Sequence, residues 1–312
     1  MSLCRSLPRP ALPLLVLASI LLLPAQTSSA RELFVNNVAG DDLHDGRAAQ
    51  PDSQDHGPVR TIGRALTLAR KADRIIIANT GTPYQESVTL QGSRNSGFGN
   101  RPLIIEGNGA VLDGTRPIPR DVWKPVKKDL YRFTPEFTTL LIFHDGRLAP
   151  RKVAQQGSTR PPLEPLEWCL YEGNVYFRTE ENKLPDDYPL SFTHERVGLT
   201  LYEVRNVVVA DLVIQGYRLD GVNAHDGASN VVLVGLICRG NGRSGISVGG
   251  ACRLTIRACL VGNNGKAQIR TEGHCRTRVI NCDLIDDDPL APAVVKEGGQ
   301  VTIEKTADLP VP

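Results

Sequence analysis

Methionine and aromatic side chains are scarce in this 312-residue chain, with one Met and 5% Phe, Trp and Tyr together. So little ring volume suits an interior filled with small β-branched residues. An excess of charge of either sign is also missing, as the net charge is only +2. That balance argues against nucleic acid or an acidic membrane surface as the main partner. No CxxC pair occurs, which removes the usual zinc-ribbon spacing. Long apolar runs are absent beyond the first 30 residues, so no membrane span is expected in the rest of the chain.

Those first residues, MSLCRSLPRPALPLLVLASILLLPAQTSSA, have the order of an export signal. Arg5 and Arg9 give a positive start, an apolar run follows from Ala11 to Pro24, and Ser28-Ser29-Ala30 offers small residues for cleavage. The strongest apolar stretch, Leu14 to Leu23, is 10 residues long and too short to span a bilayer comfortably. Residues 1–30 therefore read as a cleaved signal peptide, with the mature protein secreted or periplasmic. Without that segment 34 basic residues face 34 acidic ones, and six cysteines remain.

What the chain has in quantity is repetition. From Arg205 the segments RNVVVADLVIQGYRLDGVNAHDGA, SNVVLVGLICRGNGRSGISVGGA, CRLTIRACLVGNNGKAQIRTEGH and CRTRVINCDLIDDDPLAPAVVKEGG follow one another, with lengths of 24, 23, 23 and 25 residues. Such a period marks a repeat architecture. Short alternating runs inside each unit make them strands and turns. The lengths resemble those of leucine-rich repeats, but the leucine and asparagine spacing of that class is absent. Val209, Leu233, Ile256 and Val279 fall in one column. Leu212, Leu236, Cys259 and Cys282 fall in a second, and Val222, Ile246, Ile269 and Val294 in a third. One coil per repeat, stacked at about 4.8 Å, would turn these columns into internal apolar ladders. The expected fold class is all-β, a parallel β-helix, or β-solenoid. Asn241-Gly242 and Asn264-Gly265 align as a stacked corner, with Asn tolerating a left-handed conformation there. Cys252 stacks on Cys275 and Cys259 on Cys282. Export permits disulfides, but the parallel Cβ vectors of stacked strands favour free thiols.

Nearer the N-terminus, Ile62, Ala65, Leu66 and Ala69 follow i, i+3, i+4, i+7, the face of a short helix suited to covering an open solenoid end. A strand over 74–78 and another coil over 101–114 follow. GDDLHDG, then GPVRTIGRALTLA, DRIIIANTGTPYQESV and the later DGV/SGI repeats, resemble secreted right-handed β-helix proteins of the pectin-lyase-like superfamily. The resemblance covers about 33–115 and 198–305, and it implies fold more than reaction, because the scaffold hosts lyases, hydrolases, epimerases and binders. Between these blocks the repeat breaks. Residues 117–197 hold both tryptophans, four of seven tyrosines and five of seven phenylalanines. Asp145-Gly146 and Gly173-Asn174 mark hairpins there. The segment resembles the small β-domain inserted into some β-helix glycoside hydrolases, with its aromatics read as a mini-core. The division expected is thus signal peptide 1–30, cap and first coils 31–116, inserted module 117–197, repeats 198–305 and tail 306–312.

Period two sends Asn223 and His225 outward if Val222 and Ala224 face in. One coil later the outward pair is Ser247 and Gly249, and two coils later Arg270 and Glu272. The small pair leaves a shallow trough between polar walls, and the resemblance implies that extended polysaccharides lie on such a face. Asp220, His225, Asp226, Glu272 and Arg270 are the catalytic candidates, with Asn223, Ser247 and Arg243 as substrate-binding candidates. Two of the acids would serve hydrolysis as general acid and base or nucleophile. A lyase would need a base, His225 or Arg270, and a cation such as Arg270 or Arg243 against a uronate. Asp220-Gly221 and Asp226-Gly227 also have turn chemistry, and Arg270 with Glu272 could form an exposed ladder pair. Asp41, Asp42 and Asp45 read first as an Asp-rich turn and only second as cation ligands, since the spacing of a calcium hand is missing. His144-Asp145 reads as a hairpin tip. No cofactor or metal is expected. The Asp-Asp pair with Gly-His-Gly of polygalacturonases and the calcium-site pattern of pectate lyases are both absent.

The reading is a polysaccharide- or oligosaccharide-active protein, hydrolase before lyase. The alternatives are a non-catalytic carbohydrate-binding or envelope protein, and a structural solenoid whose open C-terminal end mediates oligomer assembly.

Overall fold

The computed structural model describes residues 30–154, 157, 159–287 and 290–305. The segment expected to be a signal peptide, apart from Ala30, and the tail 306–312 lie outside the described residues.

Parallel strands wind into a solenoid with three faces. The first face begins with Glu32–Val35 and Arg74–Ile77. It continues through the first halves of Leu103–Asp113 and Arg205–Gln215, then Ser229–Val234, Arg253–Arg257 and the second halves of Ala267–Ile280 and Val294–Glu304. The second face stacks Val88–Gln91, Val197–Tyr202, Asp220–His225, Ser244–Val248 and the first halves of Ala267–Ile280 and Val294–Glu304. A third, shorter face includes Ile237–Arg239, Leu260–Gly262 and Asp283–Ile285.

The register reproduces the ladders. Val209, Leu233, Ile256 and Val279 are successive partners, and Leu33, Ile75 and Ile105 extend the column toward the N-terminus. Val88, Leu199, Val222, Ile246, Ile269 and Val294 form the second-face ladder. Both feed one core of aliphatic residues and cysteines, with Tyr84 and Tyr217 among them. The reason is period two: each strand turns alternate residues inward, and parallel pairing in register puts like over like. The first-face ladder ends at Ile303, which is 54% exposed, so nothing among the described residues covers the end of the stack. None of the described helices is long and apolar enough to cross a membrane.

The helix forms at Ile62–Leu68, with Thr61 Oγ1 accepting from Arg64 N at 3.0 Å. The Glu86 carboxylate accepts from Ile62 N and Gly63 N, both at 3.0 Å. Burial raises the Glu86 pKa above its ordinary value. Ile62, Ala65 and Leu66 are buried as the spacing predicts, and the helix packs on the first strands of the solenoid. In GDDLHDG, Asp42 accepts from Arg60 N and Thr61 N at 2.9 Å, and Asp45 holds His56 at 2.9 Å. These carboxylates order a turn. The hydrogen bond to Asp45 raises the His56 pKa above 6.5. Protonated His56 therefore stabilises this loop below about pH 6.5, and the contribution is lost as pH rises through the raised folded value. An NMR titration should place the His56 midpoint above 6.5, and Asp45→Asn should bring it back. A midpoint unmoved by that substitution would contradict the pairing.

The aligned asparagines form a corner, for a reason other than backbone conformation. The left-handed residues are Gly240 and Asn263, one position earlier. Asn241 and Asn264 instead point inward and are buried. Asn264 Oδ1 accepts from Asn241 N and Nδ2, both at 3.0 Å, while Asn264 Nδ2 donates to Cys238 O, Gly262 O and Gln268 Oε1. The side chains satisfy backbone groups that the bend strands inside the core. Gly265 is required beside them, since a Cβ there would lie 2.2 Å from Gly242 O. Asn264→Ala should cost about 3 kcal/mol or more, because several buried groups lose partners at roughly 1–3 kcal/mol each. Urea unfolding would show a lower midpoint at unchanged slope. An unchanged midpoint would mean that water replaces the side chain without cost.

All six cysteines of the described residues are free and buried. Cys259 N donates to Cys282 Sγ at 3.4 Å, so the two stack as the column spacing implied. The bond to Cys282, with burial, keeps the Cys259 thiol protonated, and burial pushes Cys238 up to about 12.

Between Thr115 and Thr193 the chain leaves the solenoid pattern for two four-stranded sheets with antiparallel pairing. Their apolar residues form clusters separate from the solenoid core. Trp168 is 1% exposed and donates to Ala149 O at 3.1 Å, and Trp123 meets Phe133 edge-on at 4.8 Å. These rings are core. Asp145 and Gly146 are the left-handed pair of one hairpin, beside His144. The second hairpin turns on Glu172-Gly173, one residue before the pair expected from sequence.

Candidate functional site

The second face supplies the candidate site. Asn223, Ser247 and Arg270 are successive partners and form one outward column, which Thr200 extends below and Val295 above. Tyr202 pairs with His225, and Glu272 with Glu297. These four lie along the neighbouring outward column, with Gly249 between His225 and Glu272.

Two carboxylates meet one guanidinium there. Arg270 Nη2 lies 2.8 Å from Glu272 Oε2 and also contacts Glu297 Oε2. The two carboxylate oxygens are thus no more than two hydrogen-bond lengths apart. Both acids remain about half exposed, whereas the Arg270 side chain is 16% exposed. Sequence spacing had paired Glu272 with His225 across two coils. Glu297 is the acid that reading missed, although Val294 aligned with Ile269 and Glu297 follows at the same offset as Glu272.

The trough expected at Ser247 and Gly249 is not an open floor. Ser247 is 2% exposed, and a Cβ on Gly249 would lie 2.8 Å from Glu272 Oε1. Glu272 leans over the glycine and fills the space that its small size leaves. On the near side His225 Nδ1 lies 2.9 Å from Asp226 Oδ2, and the His225 ring sits 5.1 Å from that of Tyr202. Tyr202 was also missed, because it lies one coil before the segment that drew attention. The charge of Glu203, followed by burial, raises the Tyr202 pKa, so the phenol keeps its proton. Asp226-Gly227 is a left-handed turn, as its composition suggests.

Asp220 requires a correction. Asp220 opens the strand Asp220–His225, as the period-two count assumed, so the turn chemistry of Asp220-Gly221 is not used; the correction concerns its catalytic reading. The Asp220 side chain is fully buried and its oxygens are engaged. Arg243 donates through Nε at 2.9 Å and Nη2 at 2.5 Å, Ser244 Oγ at 2.6 Å, and Asn223 Nδ2 at 3.2 Å. A carboxylate so occupied leaves no face for a substrate. It aims Arg243 and Asn223 instead. The bond to Asp220 raises the Arg243 pKa further, and Glu272 and Glu297 add to it, which places Arg243 within their field.

The antiparallel segment overhangs one edge of this face. Phe137 stacks on the Arg218 guanidinium at 3.6 Å, and Thr139 O lies near Gly242. The site itself is an open face. A cavity of about 790 Å³ lies elsewhere, within the antiparallel segment around Lys127, Arg160 and Arg178. An open polar face suits a polymer better than a small molecule. Among the described residues no group of three or more His, Cys, Asp or Glu side chains is arranged to hold a metal.

This architecture is that of a right-handed parallel β-helix protein. Residues 187–288 match the family model described as "Right handed beta helix region". One similar solved structure, named "Glycoside hydrolase", shares 12% identity at a TM-score of 0.55, covering 81% of this chain and 73% of its own. A second, "The complex structure of XylC with xylose", shares 12% identity at a TM-score of 0.41, covering 88% and 70%. At such identity the likeness is one of fold. No curated protein matches the chain.

Proposed function

We propose that this chain is a carbohydrate-active β-helix protein that lays an extended polysaccharide along the second face and hydrolyses it at Glu272 and Glu297. The observation that carries this reading is the approach of those two carboxylates to one nitrogen of Arg270. Retaining glycosidases hold two carboxyl groups about 5–5.5 Å apart, whereas inverting ones leave roughly 6.5–9.5 Å for a water. The pair is too close for the second geometry and lies nearer the first. In that mechanism one carboxyl protonates the leaving oxygen while the other attacks the sugar, and water then releases the product with the first acting as base. Arg270 orients both groups. Tyr202 offers a ring face against which a sugar can stack, and Asn223 and Arg243 supply donors beside it. The name of one similar structure, a glycoside hydrolase, is in keeping with this reaction.

A lyase is less well served. Its base would be His225, already bonded to Asp226, and its uronate-neutralising cation would be Arg270, already shared by two acids. A panel of neutral and uronic polysaccharides distinguishes the readings. New reducing ends are expected. Absorbance from an unsaturated product would overturn the proposal in favour of elimination, and retention of polymer with neither product would make the protein a binder. We further propose export on the signal of residues 1–30, so the amino terminus of the exported protein should begin near residue 31. Recovery of an intact leader on exported protein would remove that part.

A further inference from the structure

We propose that the outer side of the first face is a second binding surface, separate from the site above, that takes an anionic polysaccharide through an arginine ladder. Arg205, Ser229, Arg253 and Arg276 are successive register partners across four adjacent strands. All three arginines are exposed. Arg278 and Arg257 stand further along the same strands, two residues from Arg276 and four from Arg253. Glu304 is paired with Arg278. No acidic partner is found for Arg253, Arg257 or Arg276 among the described residues.

Register makes this cluster. Parallel strands bring Arg253 over Arg276 at about 4.8 Å, closer than a Debye length in physiological salt. Like charges directly opposite one another oppose pairing, and an anion between them removes that repulsion. The ladder runs along the solenoid axis, across the strands. A linear polymer lying on that axis can present successive anionic groups to successive guanidinium forks, which bind carboxylate or sulfate with two parallel hydrogen bonds. A shallow hollow of about 420 Å³ lies along the line, bounded by Asn230, Arg253, Thr255, Arg276 and Arg278. Half-buried Val208 and Val232 pair with each other, and Val232 with Thr255, in the adjoining outward column, and they add an aliphatic strip for the C–H faces of sugar rings. Single-stranded nucleic acid is less well suited. Its binders add aromatic rings for base stacking, and the outward positions of Ser229–Val234, Arg253–Arg257 and Arg276 to Ile280 carry none.

Affinity electrophoresis of the full chain through gels containing polygalacturonate, chondroitin sulfate, dextran or poly(dT) tests this. Retardation is expected in both anionic glycans, weaker with added salt, and absent in dextran. The double variant Arg253→Gln/Arg276→Gln should weaken it about tenfold or more, with an unfolding midpoint no lower than that of the wild type, since a like-charge repulsion is removed. A charge-matched control, Lys124→Gln/Lys127→Gln, lies on the exposed strand Lys124–Lys127 of the antiparallel segment and should retain binding. No retardation in either anionic glycan at low salt would overturn the proposal. So would equal loss in the control, or stronger retardation by poly(dT). Glu272→Gln should bind as the wild type does, which separates this surface from the proposed hydrolytic site.

Discussion

Asp220→Ala lowers the free energy of unfolding by about 3 kcal/mol, among the largest single-residue effects expected in this protein. Removing one member of a buried ion pair commonly costs about 3–5 kcal/mol. The lower end applies because the Arg243 side chain is 28% exposed and can recover some hydration. The cost is that of the groups left behind. Ser244 is buried and Asn223 partly so, and both lose their acceptor. Asp220→Asn keeps one oxygen for Ser244 or Arg243 and should cost less. A double-mutant cycle with Arg243→Gln should give a coupling of more than about 1 kcal/mol. Additive effects would show that the two side chains do not support each other. Because Asp220 acts here by holding Arg243 and Asn223, Asp220→Asn should retain measurable turnover on any polysaccharide the protein cleaves. Complete loss with an intact fold would return Asp220 to the reacting groups.

The second large effect is on catalysis. Glu272→Gln should reduce turnover by about 10²–10⁴-fold, the usual contribution of a positioned acid or base. Its stability should change little, within roughly 0.5 kcal/mol, since half-exposed ion pairs contribute little. Glu297→Gln should fall in the same range. Measurement requires the polysaccharide identified by the panel and a count of new reducing ends with time. Wild-type turnover in Glu272→Gln would remove the two-carboxylate mechanism whatever the substrate. Loss in Glu272→Gln alone would leave Glu297 as a partner of Arg270 rather than a reacting group.

Part of the site was legible because its residues lie on regular strands. Asn223, Ser247 and Arg270 come one per coil, and counting by two from Val222 places them outward in one column. Asp220 was misread as a reacting group because nothing local says that Arg243, one coil on, will fold over it. Glu297 was within reach of the same column arithmetic. Tyr202 was not, since Val197–Tyr202 stands apart from the run of repeats and its alignment shows only once it pairs with Asp220–His225.

What the amino-acid order determined alone is the solenoid. A period of 23–25 residues with alternating apolar positions admits stacking in one register only, because a slip of one residue would turn every buried side chain outward. What the tertiary structure decided is which polar groups are spent and which remain available. Asp220 is buried under Arg243, Glu272 covers Gly249, Asn264 bonds inward, and Arg253 and Arg276 have no acidic partner among the described residues. Long polar side chains reach across coils to partners two dozen residues away. Their direction depends on what the neighbouring coil leaves open, which no spacing within one coil records.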